Sequence, residues 1–291
     1  MKKLLCLLLA VCVLLCMASC KTEAAPEEAQ TQPLGKKGQL PAITDIYQYP
    51  RRPNYQLGSC KRLEANPLVV LLFMDDNESK WESAEIEEFT QNNVNVALKY
   101  LEEQAAQWDV ELEFSVKSYQ GSSYKPLCYR GIVETDMMKN GSTKDVLEHA
   151  ARYLEYDSAW HMYSQLQNKH GDRGDVVFLT FFNKPGTTYT RHVIKPGTMT
   201  YAEHSVIFCE DSSGYMEDAA VTVACALLRQ FGAESLYNGK REAIAAQLYY
   251  WDVMFQAPMK LSMTRIGDFT AYCVGWTNKA PSVCYMEDWW E

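Results

Sequence analysis

The sequence predicts an α+β (mixed α/β) fold, in which a mixed sheet carries a buried central helix and is followed by a small helical C-terminal lobe. Three observations lead there. Two runs, PLVVLLFM at 67–74 and DVVFLTFF at 175–182, are apolar almost throughout and only eight residues long, as strands covered on both faces should be. Elsewhere in the first two thirds, apolar residues recur at helical spacing. From residue 219 onward the pattern is helical, with no further strand signal.

The elements follow in chain order. Asp75-Asp76-Asn77 closes the first strand. Across 82–107 a long amphipathic helix is set by Ile86, Phe89, Val94, Ala97, Leu98, Leu101 and Ala105, which recur every three or four residues. VELEFSVKSY at 110–119 alternates and reads as a strand. After the Asn140-Gly141-Ser142 break, 144–156 and 158–169 read as two helices, and the strand at 175–182 follows. Residues 189–194 and 204–209 flank Lys195-Pro196-Gly197 and predict a hairpin or an edge excursion. Further helices are expected at about 216–231, 241–250 and 265–274.

The first twenty residues have the parts of an export signal: Lys2 and Lys3, an apolar run over 4–17, then small residues. The run is shorter than the roughly 20 residues that cross a bilayer, so a permanent helical span is not expected. Met17-Ala18-Ser19-Cys20 resembles a bacterial lipobox. That resemblance implies removal of 1–19 and lipidation of Cys20. Residues 20–41 are polar and rich in Ala, Glu, Gln and Pro, too poor in apolar groups to bury anything, and read as a disordered tether. The expected product is an extracytoplasmic domain over 42–291, lipid-anchored to a bacterial membrane through Cys20, with the acyl chains providing the membrane affinity.

The net charge of −9 and the lack of a basic patch argue against a nucleic-acid partner. Six of the ten cysteines lie in the domain: Cys60, Cys128, Cys209, Cys225, Cys273 and Cys284. They allow 15 pairings, and free buried thiols are an equal alternative. The five histidines, His149, His161, His170, His192 and His204, show no HxH or HxxxH spacing. A contact of His204 with Cys225 is the one metal- or thiol-type pairing that the order of elements suggests.

The most informative stretch is TVACALLRQFGAESLY at 222–237. Its helix is apolar on every side, hence buried. Arg229 is placed to cap the C-terminal carbonyls, and Gly232 supplies the stop. The stretch also resembles the active-site helix of metzincin and snapalysin-like zinc metalloproteases, which carry H-E-x-x-H-x-x-G-x-x-H or end in Asp. More specifically, it resembles bacterial proteins reading H-E-x-x-H-x-F-G-A-x-D-L-Y. Phe231, Gly232, Ala233, Leu236 and Tyr237 stand where that pattern has them. Asp252-Val253-Met254 looks like the Met-turn of the superfamily, and residues 269–277 (FTAYCVGWT) resemble its closing helix. The resemblance covers about residues 175–278 and implies a zincin-like domain, divided at about 232 into a sheet lobe and a C-terminal lobe.

The residues that carry zinc hydrolysis in that family are replaced. Cys225 stands at the first histidine, Ala226 at the glutamate, Arg229 at the second histidine and Ser235 at the third ligand. Only Cys225 is a zinc-binding type, and structural or catalytic zinc takes at least three protein ligands. Arg229 stays protonated and offers no lone pair, and Ala226 leaves no base to activate water. The expectation is therefore a pseudo-peptidase with no catalytic residue, no metal and no cofactor. Its groove, carrying Arg229, would bind an extended peptide or protein by edge-strand pairing, with an anionic group near Arg229. The alternative is an extracytoplasmic hydrolase using Cys225, its thiol activated by Arg229 one turn away, or a rebuilt metal site. Arg173-Gly174-Asp175 spells an adhesion tripeptide, but Asp175 leads straight into a strand. The aromatic end, Tyr285 to Trp290, is expected to pack back onto the domain.

Overall fold

The computed structural model describes residues 58–119, 127–133, 143–192, 202–211, 218–237, 239–255 and 260–290. The leader, Cys20, the tether and the turn at Lys195-Pro196-Gly197 lie outside the described residues. The domain is a mixed α+β structure around a five-stranded sheet of order β2-β1-β3-β5-β4. β1 (Leu68–Met74) pairs in parallel with β2 (Ser115–Tyr119) and with β3 (Val176–Gly186). β3 pairs in parallel with β5 (His204–Asp211), and β4 (Tyr189–Arg191) closes the edge antiparallel to β5.

Both apolar runs are strands because both their faces are covered. Val69, Leu71 and Phe73 enter one core with Val177, Leu179 and Phe181. Val70, Leu72 and Met74 enter a second core with Phe178 and Phe182. Successive strand side chains point to opposite faces, so a run apolar at every position needs a layer on each side. One layer is α1 (Ser83–Phe89), α2 (Asn95–Ala106) and α5 (Ala219–Gln230); the other is α3 (Thr143–Tyr153) and α4 (Ala159–His170).

Three elements differ in detail from their expected form. The long helix at 82–107 is one helical run interrupted by a π-turn, Thr90–Val94, where the Asn95 amide reaches back to the Thr90 carbonyl. The extra residue per turn re-aims the apolar stripe, so that Val94 is fully buried ahead of Leu98 and Leu101. The alternation from residue 110 becomes ladder only at Ser115, because β1 starts at Leu68 and its first partner is Ser115. Before that, Leu112 makes an isolated bridge with Ala65. The last helix, α7 (Asp268–Cys273), begins three residues later than expected, because Arg265 is engaged in a bridge with Asp252.

The segment after α5 holds α6 (Arg241–Leu248), α7 and short 3₁₀ turns. It has no core of its own. Met254, Phe269, Cys273 and Trp289 share the core that α5 and the first sheet face build. Arg241 fastens the chain end: its guanidinium donates to the Trp289 carbonyl at 2.8 Å and pairs with Glu234 at 2.8 Å. It also lies 5.3 Å from the Trp289 ring centre and 5.6 Å from that of Trp290.

Candidate functional site

The site is set by how α5 starts and stops. Asp218 caps its first turn, accepting from the Ala220 amide at 3.2 Å. At the other end the Gly232 amide bonds the Arg229 carbonyl at 3.1 Å, and the Ala233 amide bonds the Leu228 carbonyl at 2.9 Å. With Gly232 at φ 95°, these two bonds form a Schellman turn. The turn reverses the chain and lays Ser235 and Tyr237 back along the helix end. The glycine stop read from sequence thus does more than end a helix.

Each of the singled-out positions can now be placed. Cys225 is 1 % exposed, and its thiol donates to the Val253 carbonyl at 3.3 Å. Val253–Phe255 is a 3₁₀ turn whose Met254 is fully buried and whose backbone carbonyl receives the Leu236 amide. The Met-turn-like segment therefore lies directly under the helix at Cys225. Ala226 is buried, and its carbonyl accepts from the Ser205 hydroxyl of β5 at 3.2 Å. Arg229, half-buried, donates from Nη2 to Ser235 Oγ at 2.9 Å and to Tyr237 Oη at 2.8 Å. It does not cap the helix carbonyls as its position suggested, because the Schellman amides already occupy them. The structure thus brings Arg229 and Ser235 into contact, with Cys225 one turn back on the same helix.

Three further residues at this end escaped the sequence reading as site groups. Tyr237 was legible only as part of a pattern, not as the second hydroxyl on Arg229. His192, just after β4, is close enough to Arg229 and Glu234 to feel both charges; burial first, and then Arg229, hold its pKa below the usual histidine value, against the pull of Glu234. Asp252 is fully buried and accepts from the amides of Met254 and Gly267, both at 2.8 Å, and from Thr270 Oγ1 at 3.1 Å. Burial pushes its pKa up to about 6, against the pull of those three donors. In the sequence it was legible only as the first residue of the Met-turn-like Asp252-Val253-Met254, not as a buried acid.

The pairing of His204 with Cys225 is not formed. Along β5, His204 alternates with Val206 and Phe208 toward the second core, whereas Ser205 and Ile207 face α5. His204 instead bonds the Ala202 carbonyl at 3.1 Å. His149 packs on Tyr129, and His161 lies 3.1 Å from Asp157, so the histidines are dispersed. Among the described residues no three His, Cys, Asp or Glu side chains are gathered as metal ligands would be. No disulfide joins the six domain cysteines, so the thiol alternative is the one the structure adopts. Asp175 of the Arg-Gly-Asp tripeptide is tied to the Lys61 amide, and burial raises its pKa.

The remaining wall of the site is β4. Among the described residues it pairs on one side only, with β5, and α5 packs against β3, β4 and β5 together. Thr190 is buried, its hydroxyl 2.9 Å from Ser205 Oγ, and its backbone also meets the His192 ring. Gln230 completes this polar strip, donating to Ser205 Oγ at 2.9 Å and to the Phe178 carbonyl at 3.0 Å. An open depression of about 620 Å³ at the far end of the sheet is lined by Glu102, Leu112 and Arg173 and includes none of these groups. Comparison with protein-family models and with curated protein sequences finds no match. Among the described residues no helix is long and apolar enough to cross a membrane.

Proposed function

We propose that this chain is an extracytoplasmic lipoprotein, anchored through Cys20, whose domain is built on a zincin-like protease scaffold and binds an extended peptide or protein without cleaving it. The observation that carries this reading is the contact of Arg229 with Ser235 at 2.9 Å. Helix α5 and the Gly232 turn bring Arg229 and Ser235 into contact, and the residues at the frame positions do not fit zinc. Cys225 commits its proton to Val253, Ala226 has no donor atom, Arg229 is a permanent cation and Ser235 is a neutral hydroxyl. Zinc would meet a positive charge where its second ligand belongs, and Ala226 offers no base to take a proton from water. A cysteine hydrolase gains no support either, since the thiol is buried and turned toward a backbone carbonyl.

Peptide binding draws its support from β4, an edge strand running beside the Arg229 end of α5. Edge pairing provides backbone hydrogen bonds to an extended ligand, and the groups beside it select side chains. Two measurements test the proposal. After incubation with zinc and removal of excess metal, the protein should retain less than about a tenth of an equivalent, far from the near-stoichiometric loading of a zinc site. Peptides selected from a random library should protect the β4 amides from hydrogen exchange. Stoichiometric zinc, or protection confined to other elements, would overturn it.

A further inference from the structure

We infer that the Arg229 end of the groove is a carboxylate-binding subsite, made by Arg229, Ser235 and Tyr237 together. This rests on the peptide-binding reading above and specifies the chemistry of the ligand. The argument is a count of donors. Nη2 of Arg229 has two hydrogens, and both are spent, on Ser235 Oγ at 2.9 Å and Tyr237 Oη at 2.8 Å. Each hydroxyl therefore accepts from the guanidinium, so its own O–H must point elsewhere. Among the described residues neither O–H has a protein acceptor, and neither do the Nε and Nη1 hydrogens of Arg229. All three side chains are partly exposed, so these donors are open to solvent and to a ligand rather than sealed in the interior.

The charge is equally uncompensated. No carboxylate lies within ion-pair distance of Arg229 among the described residues. The nearest candidate in sequence, Glu234, is held 2.8 Å from Arg241, which is itself buried and fastened to Trp289. His192 beside it is held toward its neutral form, so it adds no second positive charge.

What such a cluster fits is a planar anion with two oxygens. The unused Nε–H and Nη1–H lie on opposite sides of the guanidinium, flanking the two Nη2 bonds. A carboxylate therefore takes one of them with one oxygen and the O–H of the neighbouring hydroxyl, Ser235 or Tyr237, with the other, a charge-assisted pair. Packing of the Schellman turn fixes both hydroxyls before any ligand arrives, which lowers the ordering cost of binding. The carboxylate can be the free end of a peptide or the side chain of an internal Asp or Glu.

The test uses the full-length chain in detergent and three synthetic octapeptide libraries. One has free C-termini and no Asp or Glu, one has amidated C-termini with Asp and Glu, and one has neither carboxylate. Selected peptides are then titrated against the wild type, Arg229→Met and the double variant Ser235→Ala/Tyr237→Phe. The inference expects binders from the first or second library and not from the third, with the richer library naming the source of the carboxylate. Affinity should fall at least about tenfold in Arg229→Met, the scale of one charged hydrogen-bond pair. The double variant, which leaves the packing of α5 untouched, should lose several-fold. Equal binding from the third library, unchanged in both variants, would overturn the carboxylate subsite while leaving peptide binding intact. Failure of all three libraries to yield a binder would overturn the peptide-binding reading, and the subsite with it.

Discussion

Asp252 offers the sharpest test of the physics under the candidate site. Its carboxyl is fully buried and has three hydrogen-bond donors but, among the described residues, no cation partner. Burial outweighs those donors and raises its pKa from 3.8 to about 6. A group whose folded pKa is raised binds protons more tightly in the native state, so its contribution to stability is present at low pH and is lost as pH rises from about 4 through 6. The shift amounts to about 3 kcal/mol in full, of which about 2 kcal/mol falls between pH 4 and pH 7. The perturbation is Asp252→Asn, which keeps the shape and one acceptor oxygen but cannot ionise. Urea unfolding of wild type and variant at pH 4 and pH 7 isolates the term, because other titrating groups cancel in the difference. The stability advantage of the wild type over the variant should shrink by about 2 kcal/mol between the two pH values. An advantage that stays constant, or grows with pH, would mean that the two amides and Thr270 solvate the ionised form as well as water does, and the burial argument would fail.

Three other outcomes follow from the same geometry. Gly232→Ala places a side chain at φ 95°, where L-residues are strained; it should cost about 1–2 kcal/mol and weaken any ligand that depends on Ser235 and Tyr237, as read by unfolding and by titration. Arg241→Met removes the bond to the Trp289 carbonyl and leaves Glu234 without its partner. Because Glu234 is partly exposed, the cost should be nearer 2 than 5 kcal/mol, with a red-shifted tryptophan emission as the chain end loosens. Finally, Cys60, Cys225, Cys273 and Cys284 are at most 1 % exposed, whereas Cys128 and Cys209 are half-buried. An aromatic disulfide reagent should therefore modify two domain thiols readily in the native state and the other four only on unfolding. Fast reaction at Cys225 would revive the hydrolase alternative.

Much of the architecture was legible because it rests on periodicity. A run such as PLVVLLFM has no polar face to present to water, so it had to be a strand between two layers, and it pairs with neighbours on both sides. The all-apolar helix before Gly232 had to be buried, and its bounds came out within a residue or so at the C-terminus. What periodicity could not supply was the alternation phase of β5. One residue decides whether His204 or Ser205 faces α5, and the pairing register with β3 and β4 settles it. The π-turn at Thr90–Val94 was equally hidden, since one additional residue in a turn leaves no compositional trace.

The sequence by itself determined what the side chains at 226 and 229 can offer, because that depends on residue type alone: an alanine carries no basic atom and an arginine has no lone pair for zinc. It also determined that α5 would end at Gly232, because a reversal at positive φ favours the residue without a Cβ. Only the tertiary structure decided where the Arg229 charge goes. A guanidinium can cap its own helix, pair with an acid or take neutral hydroxyls, and the choice depends on what the folded chain delivers to it. Here the Schellman turn delivers Ser235 and Tyr237, while Arg241 has already taken Glu234. Hydrogen bonds and charges act over a few ångströms, and residues 229, 235, 237 and 241 acquire those distances only when the chain folds back on itself.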